Sequence, residues 1–348
     1  MDSSGLEVEK YIKLYYMDYV KYIFTLVILL AIGLIYDKFK LHYLDDDNSK
    51  HYKLVSQYLL NKDDQSLAQP NKPIMWIHTN YEINANHWAS FGSRNTRNMN
   101  QPYKLLTIKS IIDKCGGDFN ICMIDDSSFV KIVPDWTIDL ESLADPIRSN
   151  IRRLAMARLL KTFGGMLVPG SMICLKNFRD VYDDGIKEKG GMFVGELMNS
   201  GVRGPSRIPN IAYPSTLLMG CMKDSPTMSE YIRYLERLNS TDYTAESSFV
   251  GDDSEWCMDK VASDKMKLIP GKLLGARDIN GGILTLEQLM GNSYVDIDVD
   301  AIGIYIPEEE VLRRSKYQWF ARLSTGQALT SDTIIGKYLV IASSESCK

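Results

Sequence analysis

DPIRSNIRRLAMARLLKTFGGMLVPGSMICL, residues 145–175, is the stretch on which the fold turns. Pro146 suits the first turn of a helix, where a missing N–H costs nothing. Ile147, Ile151, Leu154, Ala155, Leu159 and Leu160 then recur at helical spacing until Phe163-Gly164-Gly165 ends the run. Met166-Leu167-Val168 reads as a buried strand, Pro169-Gly170 as a turn, and Ser171 to Leu175 as a short second strand.

Outward from this segment the same alternation continues. Ile74-Met75-Trp76-Ile77-His78 has strand composition and runs into a polar stretch, Thr79 to Asn86, as a βα loop should. Tyr103 to Ile112 has helical spacing and is stopped by Cys115-Gly116-Gly117, after which Asn120 to Ile124 forms a second buried strand closed by Asp125-Asp126. Strands alternating with helices predict an α/β domain over 72–260, with a mostly parallel sheet covered by helices. Its ligands belong at the carboxyl ends of the strands. The remainder, 261–348, holds strand-like runs at Met266 to Ile269, Ala301 to Ile306 and Tyr338 to Ser343, which predict a sheet addition or a small subdomain.

Towards the N-terminus, Tyr22 to Tyr36 is free of charge and flanked by tyrosines. A bilayer core of about 30 Å asks for about 20 residues, so the span is drawn at 19–36, with tyrosines in the interfacial belts. The expected plan is a tail at 1–18, a single transmembrane helix, and a polar stem at 37–71 that contains a short helix around Tyr52 to Leu60. A cleaved signal is disfavoured by Glu7 and Glu9 in the leading region, and a buried helix is the competing reading. Lysines on both sides leave the orientation open.

With 348 residues, 45% hydrophobic and 24% charged, the chain has the material for one large domain or two modest ones. A net charge of −4 without a basic stripe excludes general nucleic-acid binding. Its six cysteines lack CxxC pairs, which disfavours thiolate metal sites and leaves both reduced cysteines and one or two bridges open. Asn239-Ser240-Thr241 is a glycosylation sequon.

The order Pro73-x-x-Trp76-Ile77-His78, a strand ending in Asp125-Asp126, an arginine-bearing helix, then Phe-Gly-Gly and a hydrophobic strand resembles the DxD-type sugar transferases of the mannosyltransferase and capsular-polysaccharide kind. The likeness covers about Lys72 to Asn177. It implies a GT-A (Rossmann-like) fold, a nucleotide-sugar donor, a glycan acceptor, and manganese or magnesium held by two aspartates. Counted from Gly164-Gly165, those aspartates fall on Pro169 and Ser171, and the S-D-x-x-R element reads Ser149-Asn150-Ile151-Arg152-Arg153. A metal site of the usual kind is therefore not expected. Manganese or magnesium would bind only through relocated ligands, such as Asp296-x-Asp298-x-Asp300, whose alternation predicts three carboxylates on one strand face.

What the resemblance leaves for nucleotide-sugar binding is His78, Arg153 and Ser171. Candidates for catalytic carboxylates are Asp125, Asp126 and Glu246, the last in an acidic loop with Asp252, Asp253 and Glu255. Arg94, Arg97, Arg148 and Arg152 join Arg153 as guanidinium forks suited to a diphosphate, with Arg152 and Arg153 pointing about 100° apart on a helix. Three functions compete: a membrane-anchored transferase that works without the usual metal, a catalytically dead relative, and a structural or assembly protein that contacts membrane or capsid proteins. Variants with Val-Pro-x-Ser are similar to uncharacterised transferase-like proteins of large DNA viruses, which implies a virion or host endomembrane setting.

Overall fold

A computed structural model describes residues 56–59, 69–79, 101–187, 190–197, 213–241 and 246–344. The span at 19–36, most of the stem, and Arg94 and Arg97 lie outside these residues. Among the described residues no helix is long and apolar enough to cross a membrane.

The main sheet has six strands: β1 (Ile74–His78), β2 (Asn120–Ile124), β3 (Gly165–Leu167), β5 (Met192–Gly195), β6 (Ser215–Cys221) and β7 (Lys267–Ile269), in the order β2-β1-β3-β6-β5-β7. Pairing is parallel for β1 with β2, β1 with β3 and β5 with β7, and antiparallel on both sides of β6. Five strands thus share one direction and β6 alone opposes them. A second, two-stranded sheet pairs β4 (Met172–Cys174) with β8 (Gly303–Tyr305) antiparallel. The longer helices are α1 (Tyr103–Cys115), α2 (Ile147–Phe163), α3 (Arg179–Ile186), α4 (Pro226–Asn239), α5 (Glu246–Ala262) and α6 (Ile334–Ser344).

The central strand β1 explains its own sequence. Both of its edges are paired and its residues Met75, Trp76 and Ile77 are fully buried, so an unbroken apolar run is required. Trp76 donates its indole N–H to Gly164 O at 3.2 Å and meets Phe163 edge-on, with ring centroids 5.7 Å apart. The Gly-Gly stop of α2 has an equally direct cause. Gly164 and Gly165 both take positive φ, +71° and +93°, and a Cβ on Gly165 would lie 2.1 Å from Ile74 O. Only glycine lets β3 come this close to β1.

Asn120, at the start of β2, ties the incoming chain to the sheet. Its side chain accepts from Gln69 N at 2.9 Å and donates to Gln69 O at 2.8 Å and Lys72 O at 2.9 Å. Leu59 adds an antiparallel bridge to Cys122 on the same strand, just after a 3-10 turn at Ser56–Tyr58.

Two apolar cores flank this framework. One is built from Met75, Ile77, Ile111, Phe119, Met166 and Phe193, the other from Tyr103, Ile173, Leu289, Ile304, Phe320 and Leu339. The C-terminal third splits between them. The expected strands at Met266 to Ile269 and Ala301 to Ile306 form as β7 and β8, but Tyr338 to Ser343 lies in helix α6. Leu339 and Ala342, three apart, are buried there while Val340 and Ile341 are exposed. Short apolar runs do not separate helix from strand by composition alone.

Candidate functional site

From β1 the chain passes through α1 to β2 on one side, then through α2 back past β1 to β3 on the other. The reversal of strand order at β1 is a topological switch point, and the crevice outside the carboxyl ends of β1 and β3 is where open α/β sheets take ligands. Because five strands are parallel, this edge collects His78 and Thr79 after β1, Asp125 and Asp126 after β2, Val168 to Ser171 after β3, and Glu196 after β5. The amino end of antiparallel β6 adds Ser215 and Thr216. Pairing of β5 with β6 slips here, from Val194 opposite Met219 to Gly195 opposite Ser215. Such bulges re-aim side chains at the rims of sheets.

His78, Asp126 and Arg152 form one cluster. Arg152 of α2 grips Asp126 with both prongs, Nε to Oδ1 at 2.7 Å and Nη2 to Oδ2 at 2.6 Å. His78 Nε2 lies 3.0 Å from Asp126 Oδ1 and its ring stacks on Phe129. Burial pushes the His78 pKa below its ordinary value, and the bond to Asp126 only partly opposes this. Burial alone would raise the Asp126 carboxyl, but the Arg152 fork and His78 together hold it well below the usual carboxylate range. Asp126 is therefore an ionised acceptor with its oxygens engaged.

Its neighbour Asp125 has a structural task. It caps the 3-10 turn Asp126–Ser128, accepting from Ser128 N at 2.9 Å, Ser128 Oγ at 2.6 Å and Ser127 Oγ at 2.8 Å.

Arg153 points the other way, as the 100° offset requires, and pairs with Asp253 through Nη1 to Oδ2 at 3.0 Å. Asp253 is enclosed in a buried polar group, accepting from Thr216 Oγ1 at 2.7 Å and Tyr231 OH at 2.6 Å. Burial, followed by the charge of Asp253, drives the Tyr231 phenol far above its ordinary pKa. The stretch from Glu246 to Glu255, expected as an acidic loop, is instead the first part of α5. Its helical winding carries Asp253 inward while Glu255 stays exposed. Glu246 opens that helix.

Ser171 lies in the turn between β3 and β4. The turn is pinned by Thr107 Oγ1 donating to Gly170 O at 2.5 Å and by Ile306 N donating to Ser171 O at 3.2 Å. The Ser171 hydroxyl is fully buried, and so is the carbonyl oxygen of the Asn150 side chain on α2. Among the described residues neither atom has a hydrogen-bond partner. An unmet buried polar atom costs about 1–3 kcal/mol, so both atoms favour the arrival of a hydroxyl, an amide or an ordered water.

These residues do not fit a hard divalent cation, which wants several carboxylate or carbonyl oxygens. Pro169 and Ser171 supply no carboxylate, and Asp126 is already bound bidentately by a guanidinium. Among the described residues no group of three or more His, Cys, Asp or Glu side chains is placed to hold a metal ion. Nor does Asp296 to Asp300 form a strand. It is a turn in which Asp298 Oδ1 accepts from Asp300 N at 2.9 Å and Asp300 faces Lys176 at 3.4 Å. Val295 and Ile297 are buried while Asp296 and Asp300 are exposed and Asp298 is half-buried, and that alternation is what mimics a strand in the sequence.

A further pair escaped the sequence reading altogether. Glu196, just past β5, is bonded to Arg277 Nε and accepts from Gly271 N at 2.9 Å, while Arg277 Nη1 donates to Gly281 O at 2.6 Å. With the partners 81 positions apart, no local signal announces it. Among the described residues, three carboxylates around this edge are thus matched with guanidinium groups: Asp126 with Arg152, Asp253 with Arg153, Glu196 with Arg277.

No protein-family model matches this chain, and no curated protein matches its sequence. Among solved structures, the apo crystal structure of mouse xyloside xylosyltransferase 1 aligns with 68% of this chain and 98% of its own, at 8% identity and a TM-score of 0.41. A likeness that slight carries no argument about this chain.

Proposed function

We propose that this chain is a membrane-anchored, glycosyltransferase-like protein that takes a nucleotide sugar at the switch point between β1 and β3 through neutral hydrogen-bonding groups, without a bound divalent cation. The observation that carries this reading is the pair of buried, unpartnered oxygens, Ser171 Oγ and Asn150 Oδ1. They stand where the resembled family has an acidic residue of its metal motif and the aspartate of S-D-x-x-R. The carboxylates nearby are engaged with arginines, so nucleophilic or metal-assisted transfer through them is disfavoured, and the reading leans to binding over turnover. Support for anchoring comes from the uncharged run Tyr22 to Tyr36.

Calorimetry on the detergent-solubilised full chain tests the proposal, with uridine and guanosine diphosphate sugars in EDTA and again in manganese. Binding is expected in EDTA and unchanged by manganese. Ser171→Ala should weaken it about threefold to tenfold, the worth of one ordinary hydrogen bond, with little loss of stability. Absence of heat with every sugar nucleotide, or binding that needs manganese, overturns the reading. Release of the chain by alkaline carbonate, without detergent, would overturn the anchoring.

A further inference from the structure

Five cysteines lie within the described residues, and all five are buried. Cys122 on β2 and Cys221 on β6 are apolar packing groups whose thiols burial pushes far up. Cys257 on α5 sits beside Asp253 in the same condition. Cys115 and Cys174 differ, because their sulfurs face one another at 3.7 Å.

The backbone around them is tightly registered. Cys115 is the last residue of α1 and Cys174 the last of β4. Helix and strand are fastened together by Thr107 Oγ1 to Gly170 O at 2.5 Å and by Cys174 N to Ser110 Oγ at 2.9 Å. A disulfide needs its sulfurs at about 2.05 Å, so closure asks for about 1.7 Å of approach shared between two side chains.

We propose that Cys115 and Cys174 are a disulfide-forming pair that covalently joins α1 to β4. Their hydrogen bond prepares the chemistry. Contact with Cys174 lowers the Cys115 thiol pKa despite burial, and contact with Cys115, followed by burial, raises that of Cys174. Once exposed, either sulfur can supply the attacking thiolate, and the two steps are the same with the cysteines exchanged. The oxidant is a disulfide, either a small-molecule one or that of a dithiol oxidoreductase. Cys115 thiolate attacks it, forming a mixed disulfide and releasing one thiolate. Cys174 then loses its proton and attacks the Cys115 sulfur, forming the intrachain bond and expelling the second thiolate. Two protein thiols are oxidised and one external disulfide is reduced to two thiols. Both sulfurs are enclosed in the folded domain, so the exchange takes place while α1 is still docking or during local opening.

The bond would join positions 59 apart and close a loop that contains β2, α2 and β3, and by loop entropy it should raise Tm by about 5 to 10 °C.

To test this, the full chain in detergent is denatured, reduced, refolded in oxidised and reduced glutathione, acid-quenched and alkylated, then digested with trypsin without reductant. Peptide 115–131 should appear linked to 162–176, two hydrogens lighter than the separate pair. Peptide 115–131 also holds Cys122, so the Cys122→Ala chain is digested in parallel and must give the same link. Cys174→Ala must abolish it. Full alkylation of Cys115 and Cys174 at every glutathione ratio, glutathione retained on Cys115 without the intrachain bond, or a link through Cys122 overturns the proposal. Wild-type oxidised and reduced chains are compared by Tm, so the result does not depend on any variant folding, and sugar binding plays no part in it.

Discussion

Replacing Asp126 with Asn keeps the shape of the side chain and removes its charge, leaving Arg152 with a neutral partner in a site where the two side chains are only 13% and 15% exposed. Removing one partner of a buried ion pair costs about 3–5 kcal/mol. Because this site is not wholly enclosed and Asn can still accept one hydrogen bond, a loss of about 2–3 kcal/mol is expected. With a urea m-value of about 3 kcal/mol/M for a domain of this size, the midpoint should fall by about 0.7–1 M at pH 7. A cycle through Arg152→Met, Asp126→Leu and the double variant should show coupling, the double costing well under the sum of the singles.

The pH dependence separates this carboxylate from its histidine. The folded pKa of Asp126 lies below its unfolded value, so its contribution is complete above about pH 4 and is lost as pH falls through the folded value. His78 is also depressed in the fold. Below about pH 6.5 the unfolded chain binds that proton first, so stability falls with acidification there too. Asp126→Asn should remove the carboxylate's own loss below about pH 4 and, because Asp126 partly offsets the burial of His78, should extend the histidine's window to lower pH, whereas His78→Gln should flatten that window. A midpoint shift under about 0.2 M, an additive cycle, or an unchanged acid limb in Asp126→Asn would refute this reasoning.

Two further outcomes follow from the geometry. Gly165→Ala would drive a Cβ into Ile74 O at 2.1 Å and part β3 from β1, so no folded domain should be recovered, or a loss above about 4 kcal/mol should be measured. Gly117→Ala, whose Cβ meets nothing within 4 Å, serves as the control and should stay within about 0.5 kcal/mol. The double substitution Asp296→Asn with Asp300→Asn should leave urea stability within about 0.5 kcal/mol and change no manganese titration, since both acids are exposed and the one near Lys176 is a surface pair. A manganese-dependent difference would restore the relocated metal site.

The strands β1 and β2 were readable to the residue because an apolar run bounded by polar loops leaves little freedom. The α2 helix and its Gly-Gly stop were readable because the close approach to Ile74 leaves its mark as glycine. Local pattern failed where packing decides. Tyr338 to Ser343 has strand composition, but its neighbours in the second core select a helix. Asp296 to Asp300 alternates because Val295 and Ile297 turn inward within a loop. At the candidate site, Asp126, Arg152 and Arg153 were visible as residue types, but which arginine meets which carboxylate depends on elements 26 and 100 residues apart. Charge pairing across such distances leaves no trace in spacing.

The clamp made by Asn120 has a mechanical meaning. Tension on an N-terminal extension would meet the Leu59 bridge to Cys122 first and then Gln69 to Pro73, where the Asn120 amide fastens the chain to the outer strand of the sheet, before being passed to β1. That strand is hydrogen-bonded to parallel neighbours along both edges. A pull along its axis loads both rows of bonds in shear at once, so they must yield together and not unzip one by one. Behind the Leu59 bridge and the Asn120 clamp, a tether thus pulls on the strand best placed to resist it.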